Sequence, residues 1–277
     1  MAETFTPTSR RVPEIIFRNR ALSEGHRTVA EESAIALSYG GSTEAVMMAT
    51  PSDLEDFAIG FSLSEGIVES LDEVTGVEIL ETFGGIDLQI SLTDDVDRAL
   101  RVRRRAKAGP VGCGLCGVES IEEALKPAAD VSQVSVKLTA GDISDAMQTL
   151  SAHQPLNAET RAVHAAGFYS PGRGMIAVRE DVGRHNALDK LIGHLARSGI
   201  SGSEGVVIMT SRLSVELIQK TAKLGSGMLI GISAPTAMAI DMATRSGMTL
   251  VALARGEDFE IFTGESRIGL GADANAA

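Results

Sequence analysis

Two cysteines, Cys113 and Cys116, lie three residues apart in a run with glycine at 109, 112, 114 and 117 and proline at 110. Four glycines and a proline in nine residues suit neither a helix nor a strand interior, so the thiols belong to a flexible connection. A Cys-x-x-Cys pair on such a loop has several uses. Half of a zinc site would need two further Cys or His ligands. There is no third cysteine, and the five histidines, at 26, 153, 164, 185 and 194, are not paired at ligand spacing, so no zinc is expected. Thiol–disulfide exchange sites sit at a helix start after a strand rather than between glycines in a linker. A persulfide carrier needs an exposed thiolate on an arm that can visit a donor and then an acceptor. The glycines supply that freedom, and Arg98, Arg101, Arg103, Arg104, Arg105 and Lys107 just upstream favour the thiolate. Two inert thiols are the remaining reading.

A second constellation is a series of expected strand ends: Arg179-Glu180-Asp181, Thr210-Ser211-Arg212, Ser233-Ala234-Pro235-Thr236 and Ala254-Arg255-Gly256. Ligands of parallel sheets bind beyond the carboxyl ends of the strands. Three of these ends deliver an arginine, whose planar fork matches phosphate. Thr210, Ser211, Ser233 and Thr236 can cap helices whose N-termini favour anions. Four such ends in a row predict a site for a large, phosphorylated, nucleotide-like ligand. Simple helix capping would use the same residues.

The run Arg179-Glu180-Asp181-Val182-Gly183-Arg184-His185-Asn186-Ala187-Leu188-Asp189-Lys190 is dense in ionisable and hydrogen-bonding side chains, yet it continues onto an amphipathic helix. Part of it must point into the protein or at a ligand. His185 by itself reads as a hydrogen-bonded structural histidine, and so does His164.

These residues need positioning. Residues 1–13 read as a flexible arm. Residues 14–106 read as a small α+β domain. In it, strands 34–37 and 45–48 flank Tyr39-Gly40-Gly41-Ser42, a helix opens at Thr50-Pro51-Ser52-Asp53 with Thr50 or Ser52 as its cap, and a hairpin over 74–92 turns at Gly84-Gly85. Residues 107–120 form the glycine-rich loop. In 121–277, strands at 174–178, 206–209, 228–232 and 249–254 alternate with helices at 186–195, 215–224 and 236–245, which predicts an α/β domain on a mostly parallel sheet.

The chain has 277 residues, 44% hydrophobic and 22% charged, ordinary for a globular protein with a real core. No apolar stretch approaches the roughly 20 residues of a membrane span, and Met1 to Arg11 is polar, so no secretory signal is expected. Two close cysteines are not the framework of a secreted disulfide protein, so the cytoplasm is the expected location. The net charge is −12, and between Thr28 and Asp97 sixteen acids stand without one Lys or Arg. Such a face argues against duplex nucleic acid. It suits solubility, or docking to a basic protein.

Taken together, Met48-Ala49-Thr50-Pro51-Ser52-Asp53-Leu54, Gly60-Phe61, Ser64-Glu65-Gly66, Cys113-Gly114-Leu115-Cys116-Gly117, Arg179 to Ala187 and Thr210-Ser211-Arg212 resemble the formate dehydrogenase accessory sulfurtransferase family, FdhD/NarQ. The resemblance implies a cytidine-deaminase-like three-layer αβα C-terminal domain and a homodimer. It implies a sulfurtransferase that takes persulfide sulfur from a cysteine desulfurase. The sulfur passes to the molybdenum bis(molybdopterin guanine dinucleotide) cofactor, as bound substrate, before that cofactor enters formate dehydrogenase. On the family pattern Cys113 carries the persulfide and Cys116 is the second thiol. The cofactor site spans Leu253, Ala254, Arg255, Gly256, Glu257 and Asp258, with Arg179, Arg184, His185, Thr210, Ser211, Arg212 and Ser233 as further candidates. Deaminases hold zinc beside a His-x-Glu. The matching residues, His164-Ala165-Ala166, lack that Glu, so the fold is expected without the deaminase reaction. At 255–258 two acids stand beside Arg255, which makes Arg255 the anion contact of choice. The rival reading is a non-catalytic cofactor-binding chaperone whose cysteines sense redox state.

Overall fold

The computed structural model describes residues 6–107 and 126–270. The Cys113–Cys116 pair, and most of the loop read at 107–120, lie outside the described residues. Elements are numbered in chain order.

Strands β1 (Ser9–Arg18) and β2 (Ala21–Ala30) form an antiparallel ribbon in full register from Ser9↔Ala30 to Arg18↔Ala21. Residues 9–13, read as part of a loose arm, are thus the first half of a strand. The two-residue turn is Asn19-Arg20, both at positive φ (54° and 63°), the backbone twist a tight hairpin requires.

Strands β3 (Ser33–Tyr39), β4 (Ser42–Ala49), β5 (Val74–Thr82) and β6 (Gly85–Leu92) form a sheet in the order β4-β3-β6-β5, with only β3–β6 parallel. Alternation sends Ile35, Leu37, Tyr39, Ile86, Leu88 and Ile90 to one face, where Phe57 and Phe61 of helix α1 (Leu54–Ser64) and Leu100 of helix α2 (Asp94–Lys107) close the core.

The second half is built on six strands. They are β8 (His164–Ser170), β9 (Gly174–Asp181), β10 (Val206–Met209), β11 (Met228–Gly231), β12 (Thr249–Arg255) and β13 (Asp258–Thr263), in the order β13-β12-β11-β10-β8-β9. A two-residue pair, β7 (Leu138–Thr139) with β14 (Ile268–Gly269), stands apart. Among the six, only β10–β11 and β11–β12 pair in parallel. The expected mostly parallel sheet is therefore mixed. The physical reason is that β8–β9 and β12–β13 are joined by short turns, and short turns can connect only antiparallel neighbours.

Helices α5 (Arg184–Arg197), α6 (Val215–Leu224) and α7 (Ala237–Ser246) cover one sheet face; Leu188, Leu191, Leu217, Ile218 and Met242 meet Phe168, Val207, Met209 and Leu229 there. Helix α3 (Ala140–Ala152) covers the other, packing Ile143, Met147 and Leu150 against Val206, Ile208 and Ile230. A short helix, α4 (Pro155–Thr160), follows it. The central strands are buried on both faces, which is why they read as unbroken apolar runs.

The two halves are joined by α1 lying on α5. A Cβ on Gly60 would stand 1.7 Å from the Asp189 carbonyl, and one on Gly193 1.9 Å from the Asp56 carbonyl, so the helix backbones touch where only glycine fits.

Candidate functional site

The predicted strand ends do meet. Residue pairs His164↔Asp181, Ala166↔Met209, Met209↔Gly231 and Ile230↔Val251 run across the sheet, so β9, β10, β11 and β12 finish on one edge although β8 runs the other way between β9 and β10. Helices α5, α6 and α7 begin on the same edge, which gathers three positive helix ends there. The N-caps of α5 and α6, Gly183 and Ser214, make no side-chain capping bond. Thr236 caps α7, accepting from Ala239 N at 3.2 Å.

The other hydroxyls expected to cap do different work. Thr210 Oγ1 accepts from Ala165 N at 2.8 Å and locks β10 to β8. Ser211, buried, donates to the Arg212 carbonyl at 3.1 Å. The Ser233 carbonyl accepts from Leu253 N at 3.4 Å. At the start of α1, Asp53 takes the N-cap position in a left-handed conformation (φ 51°), without a side-chain bond. Thr50 turns inward instead: its N–H donates to Asp181 Oδ2 at 3.0 Å, and its hydroxyl accepts from Val182 N at 3.1 Å.

The arginines divide. Arg179 is committed, donating from Nε and Nη2 to Asp56 Oδ2 at 2.9 and 2.7 Å, with Asp53 at 3.5 Å. It lines a cleft of about 570 Å³ along β9, with Asp53, His153 and His194, rather than facing the other strand ends with a free guanidinium. Arg184, at the start of α5, keeps a buried Nε without a hydrogen-bond partner among the described residues. Arg212 is exposed. Arg255 donates once, from Nε to the Ile232 carbonyl at 3.2 Å, which folds it across the end of β11 and leaves the outer guanidinium nitrogens open.

Two imidazoles complete the edge. Burial, then Arg184 and Lys220, pushes His185 down to about 4, and its buried Nε2 has no hydrogen-bond partner among the described residues, the Glu216 carboxylate standing 3.9 Å away. Burial and Arg184 also lower His164. Both rings are neutral at pH 7, so positive charge at this edge comes from arginine and helix ends.

Leu253 has φ 53° at a bulge in β12 between Ala252 and Arg255. A branched apolar residue there costs on the order of 1–2 kcal/mol. The strain falls inside the stretch 253–258. The remainder of that stretch is a tight turn: Arg255 pairs with Asp258 across Gly256-Glu257, and Arg255, Gly256, Glu257 and Asp258 are all exposed.

The dense run of ionisable residues points mainly into the protein. Asp181 and Lys190 pair at 2.6 Å, both side chains fully buried. Lys190 also donates to the Thr50 carbonyl at 2.8 Å, and Asn186 bridges Asp181 Oδ1 to the Met48 carbonyl. Asp189 receives Lys220 at 2.8 and 2.9 Å and Ser64 at 2.6 Å. Burial pushes the Lys220 ammonium down, but Asp189 and Glu65 more than offset it and hold it above its ordinary range. Asp56 takes Arg179 and Arg197 together. Every one of these networks ties α1 or the segment before it to the second half. Sequence reasoning missed Asp53, Asp56 and Lys220 as their partners; nothing local marks a partner that lies from 31 to 156 residues away.

The chain is similar to known proteins along most of its length. The FdhD/NarQ family model matches residues 30–269. A sulfur carrier protein FdhD of Agrobacterium fabrum is 57% identical over 259 residues, 94% of this chain and 96% of its own. The Bordetella bronchiseptica protein of the same name is 45% identical over 240 residues, 87% of each chain. The crystal structure of a candidate formate dehydrogenase accessory protein from Desulfotalea psychrophila superposes with a TM-score of 0.76 at 26% identity, covering 95% of this chain and all of that one. Motifs in order from Met48 to Arg212, a family match across most of the length and a shared mixed α/β architecture lead to one conclusion: this chain belongs to the FdhD/NarQ family.

Proposed function

We propose that the chain is a cytoplasmic sulfurtransferase that carries sulfur from a cysteine desulfurase to the molybdenum bis(molybdopterin guanine dinucleotide) cofactor of formate dehydrogenase, acting as a homodimer. The curated relatives are named sulfur carriers, and the Desulfotalea structure is described as a formate dehydrogenase accessory protein. The observation that carries the cofactor part is the shared edge of β9–β12. Three helix starts, a nearly free Arg255 and the unpartnered Nε of Arg184 converge there, as an anionic dinucleotide needs. The sheet between helix layers is compatible with a deaminase-like domain, and His164-Ala165-Ala166, which lacks the Glu of the deaminase His-x-Glu, removes deamination from that reading.

In this reading the Cys113 thiolate attacks the outer sulfur of the donor's persulfide. The donor's S–S bond breaks, its cysteine leaves as thiolate, and no net redox change occurs. At the acceptor, the Cys116 thiolate attacks Cys113 Sγ. A Cys113–Cys116 disulfide closes and the terminal sulfur departs as the sulfide that molybdenum takes up. A cellular thiol reductant then reopens the disulfide. The cofactor is substrate here, held by Arg255, Arg184 and the helix starts.

Mass spectrometry of the protein after incubation with a desulfurase and cysteine tests the first step. Cys113 should gain about 32 Da, one sulfur. Label on Cys116 alone would reverse the roles, and an unlabelled chain would defeat the carrier reading.

A further inference from the structure

Two neighbouring side chains at the start of α5, Arg184 and His185, each keep a buried nitrogen, Nε and Nε2, with no hydrogen-bond partner among the described residues. Glu216 faces them from the first turn of α6. Its carboxylate stands 3.9 Å from His185 Nε2, too far for a hydrogen bond. The same carboxylate feels the Arg184 charge, yet no bond or ion pair joins the two among the described residues. Burial raises the Glu216 carboxyl, but the Ser214 hydroxyl and its own N–H more than offset this, so it is ionised at pH 7. The side chain is about half exposed, which leaves its oxygens open to an incoming group.

Buried polar atoms left unpaired call for an explanation. A simple anion drawn to Arg184 would be set against the Glu216 carboxylate, and a simple cation drawn to Glu216 would be set against Arg184. The gap suits a neutral group that carries an acceptor for Arg184 Nε–H beside donors for the carboxylate. An ordered water can serve the free chain and then be displaced. Among nucleobases, guanine has the matching edge: O6 accepts, and N1–H and N2–H point side by side toward the two oxygens of a carboxylate. Adenine and cytosine carry a lone pair where guanine has N1–H, and uracil sets one N–H between two acceptors. The fold also puts this gap near Arg255. Leu213 donates to the Ala234 carbonyl at 3.2 Å and accepts from Thr236 N at 3.0 Å, which stitches the start of α6 to the segment leaving β11. Arg255 folds over the Ile232 carbonyl at the end of that same strand. Strands β10 and β11 are neighbours, about 4.8 Å apart. A spacing of this order is what a ribose bridges between its base and its diphosphate.

We propose that Glu216 is the residue that selects guanine, its carboxylate accepting from N1–H and N2–H while Arg184 donates to O6. Selection of this kind works by rejection as much as by attraction, since a base with a lone pair at the N1 position would face the carboxylate unpaired. The inference rests on the reading that the strand-end edge holds the guanine nucleotide of the cofactor, and it adds to that reading the group that tells guanine from other bases.

Calorimetry on the full chain with GDP, with IDP, which lacks the 2-amino group, and with CDP tests it. The wild type should bind GDP roughly tenfold more tightly than IDP, and IDP more tightly than CDP. That ranking needs no variant. Glu216→Gln, at a half-exposed position, should keep the wild-type melting point, weaken GDP roughly ten- to a hundredfold and bring it level with IDP. Arg255→Ala should weaken GDP and IDP alike and leave their ratio unchanged, because it acts on the diphosphate. A wild type that binds none of the three nucleotides would defeat the cofactor edge, and this inference with it. GDP binding with no preference over IDP and CDP, or a preference that survives in Glu216→Gln, overturns selection by Glu216 and leaves the edge standing.

Discussion

Arg255 and His185 show how one residue's surroundings set what it can do. The Arg255 guanidinium is anchored by one bond to Ile232 and open on its outer side. A charge-assisted bond to a diphosphate is worth on the order of 1.5–3 kcal/mol, so Arg255→Ala should weaken GDP binding roughly ten- to a hundredfold. Arg255→Lys should recover only part, because an ammonium cannot make the planar two-point contact. Calorimetry with GDP on the three proteins decides it, and equal affinities would move the nucleotide off this edge. His185 makes a different prediction. Its folded value is about 4 against the ordinary 6.5, so below pH 6.5 the unfolded chain binds a proton that the folded chain refuses. Stability from this group is therefore whole above pH 6.5 and falls as pH drops toward 4, by up to ~3 kcal/mol. His185→Gln should flatten the loss of melting temperature between pH 7 and 4 relative to wild type. An identical slope in the two proteins would refute the assignment.

At the scale of elements, the crossing of α1 and α5 carries the connection between halves. Gly193→Ala would drive a methyl into the Asp56 carbonyl, and overpacking of this kind costs about 1–3 kcal/mol or more. For a chain this long each kcal/mol lowers Tm by roughly 2–4 °C, so a scan should show a drop of several degrees. Lys190→Met should cost more, roughly 3–5 kcal/mol, by stranding the buried Asp181 carboxylate. A Tm within a degree of wild type for either variant would show that the crossing is slack. The elements also show what sequence can reveal. Helix α6 over 215–224 and strand β10 over 206–209 follow directly from apolar periodicity closed by Gly225 and bounded by polar residues. The β1–β2 turn was invisible because Asn19-Arg20 replaces the Asn-Gly that normally marks it. Strands β8 and β13 escaped because hairpins on an α/β sheet break the strand–helix alternation used to count. The meeting of the strand ends was legible, since direction and order follow from that alternation. The commitment of Arg179 to Asp56 was not, for it depends on a helix 123 residues earlier.

On the scale of the whole molecule, the buried pairs make the two halves one thermodynamic body. Lys190, Lys220, Asn186 and Arg179 each bridge the crossing, so unfolding either half strands charges in the other. Calorimetry should therefore give a single transition with matching calorimetric and van't Hoff enthalpies. Two resolved peaks would mean that the halves melt separately. The acidity of the first half remains on the outside of this body, with Glu69, Asp72, Glu78 and Glu81 exposed along the β5 side.

The pairing of α1 with α5 also governs how the chain is made. Asp56 waits for Arg197, 141 residues further on, and Thr50 waits for Lys190, 140 further on. At 5–20 residues per second a ribosome takes roughly 7–28 s to supply them. Through that interval the nascent first half holds the glycine-lined side of α1 bare and the Asp56 carboxylate without its arginines. That side of the helix therefore stays open to water until residue 197 has emerged, and slow codons before it would lengthen the exposure.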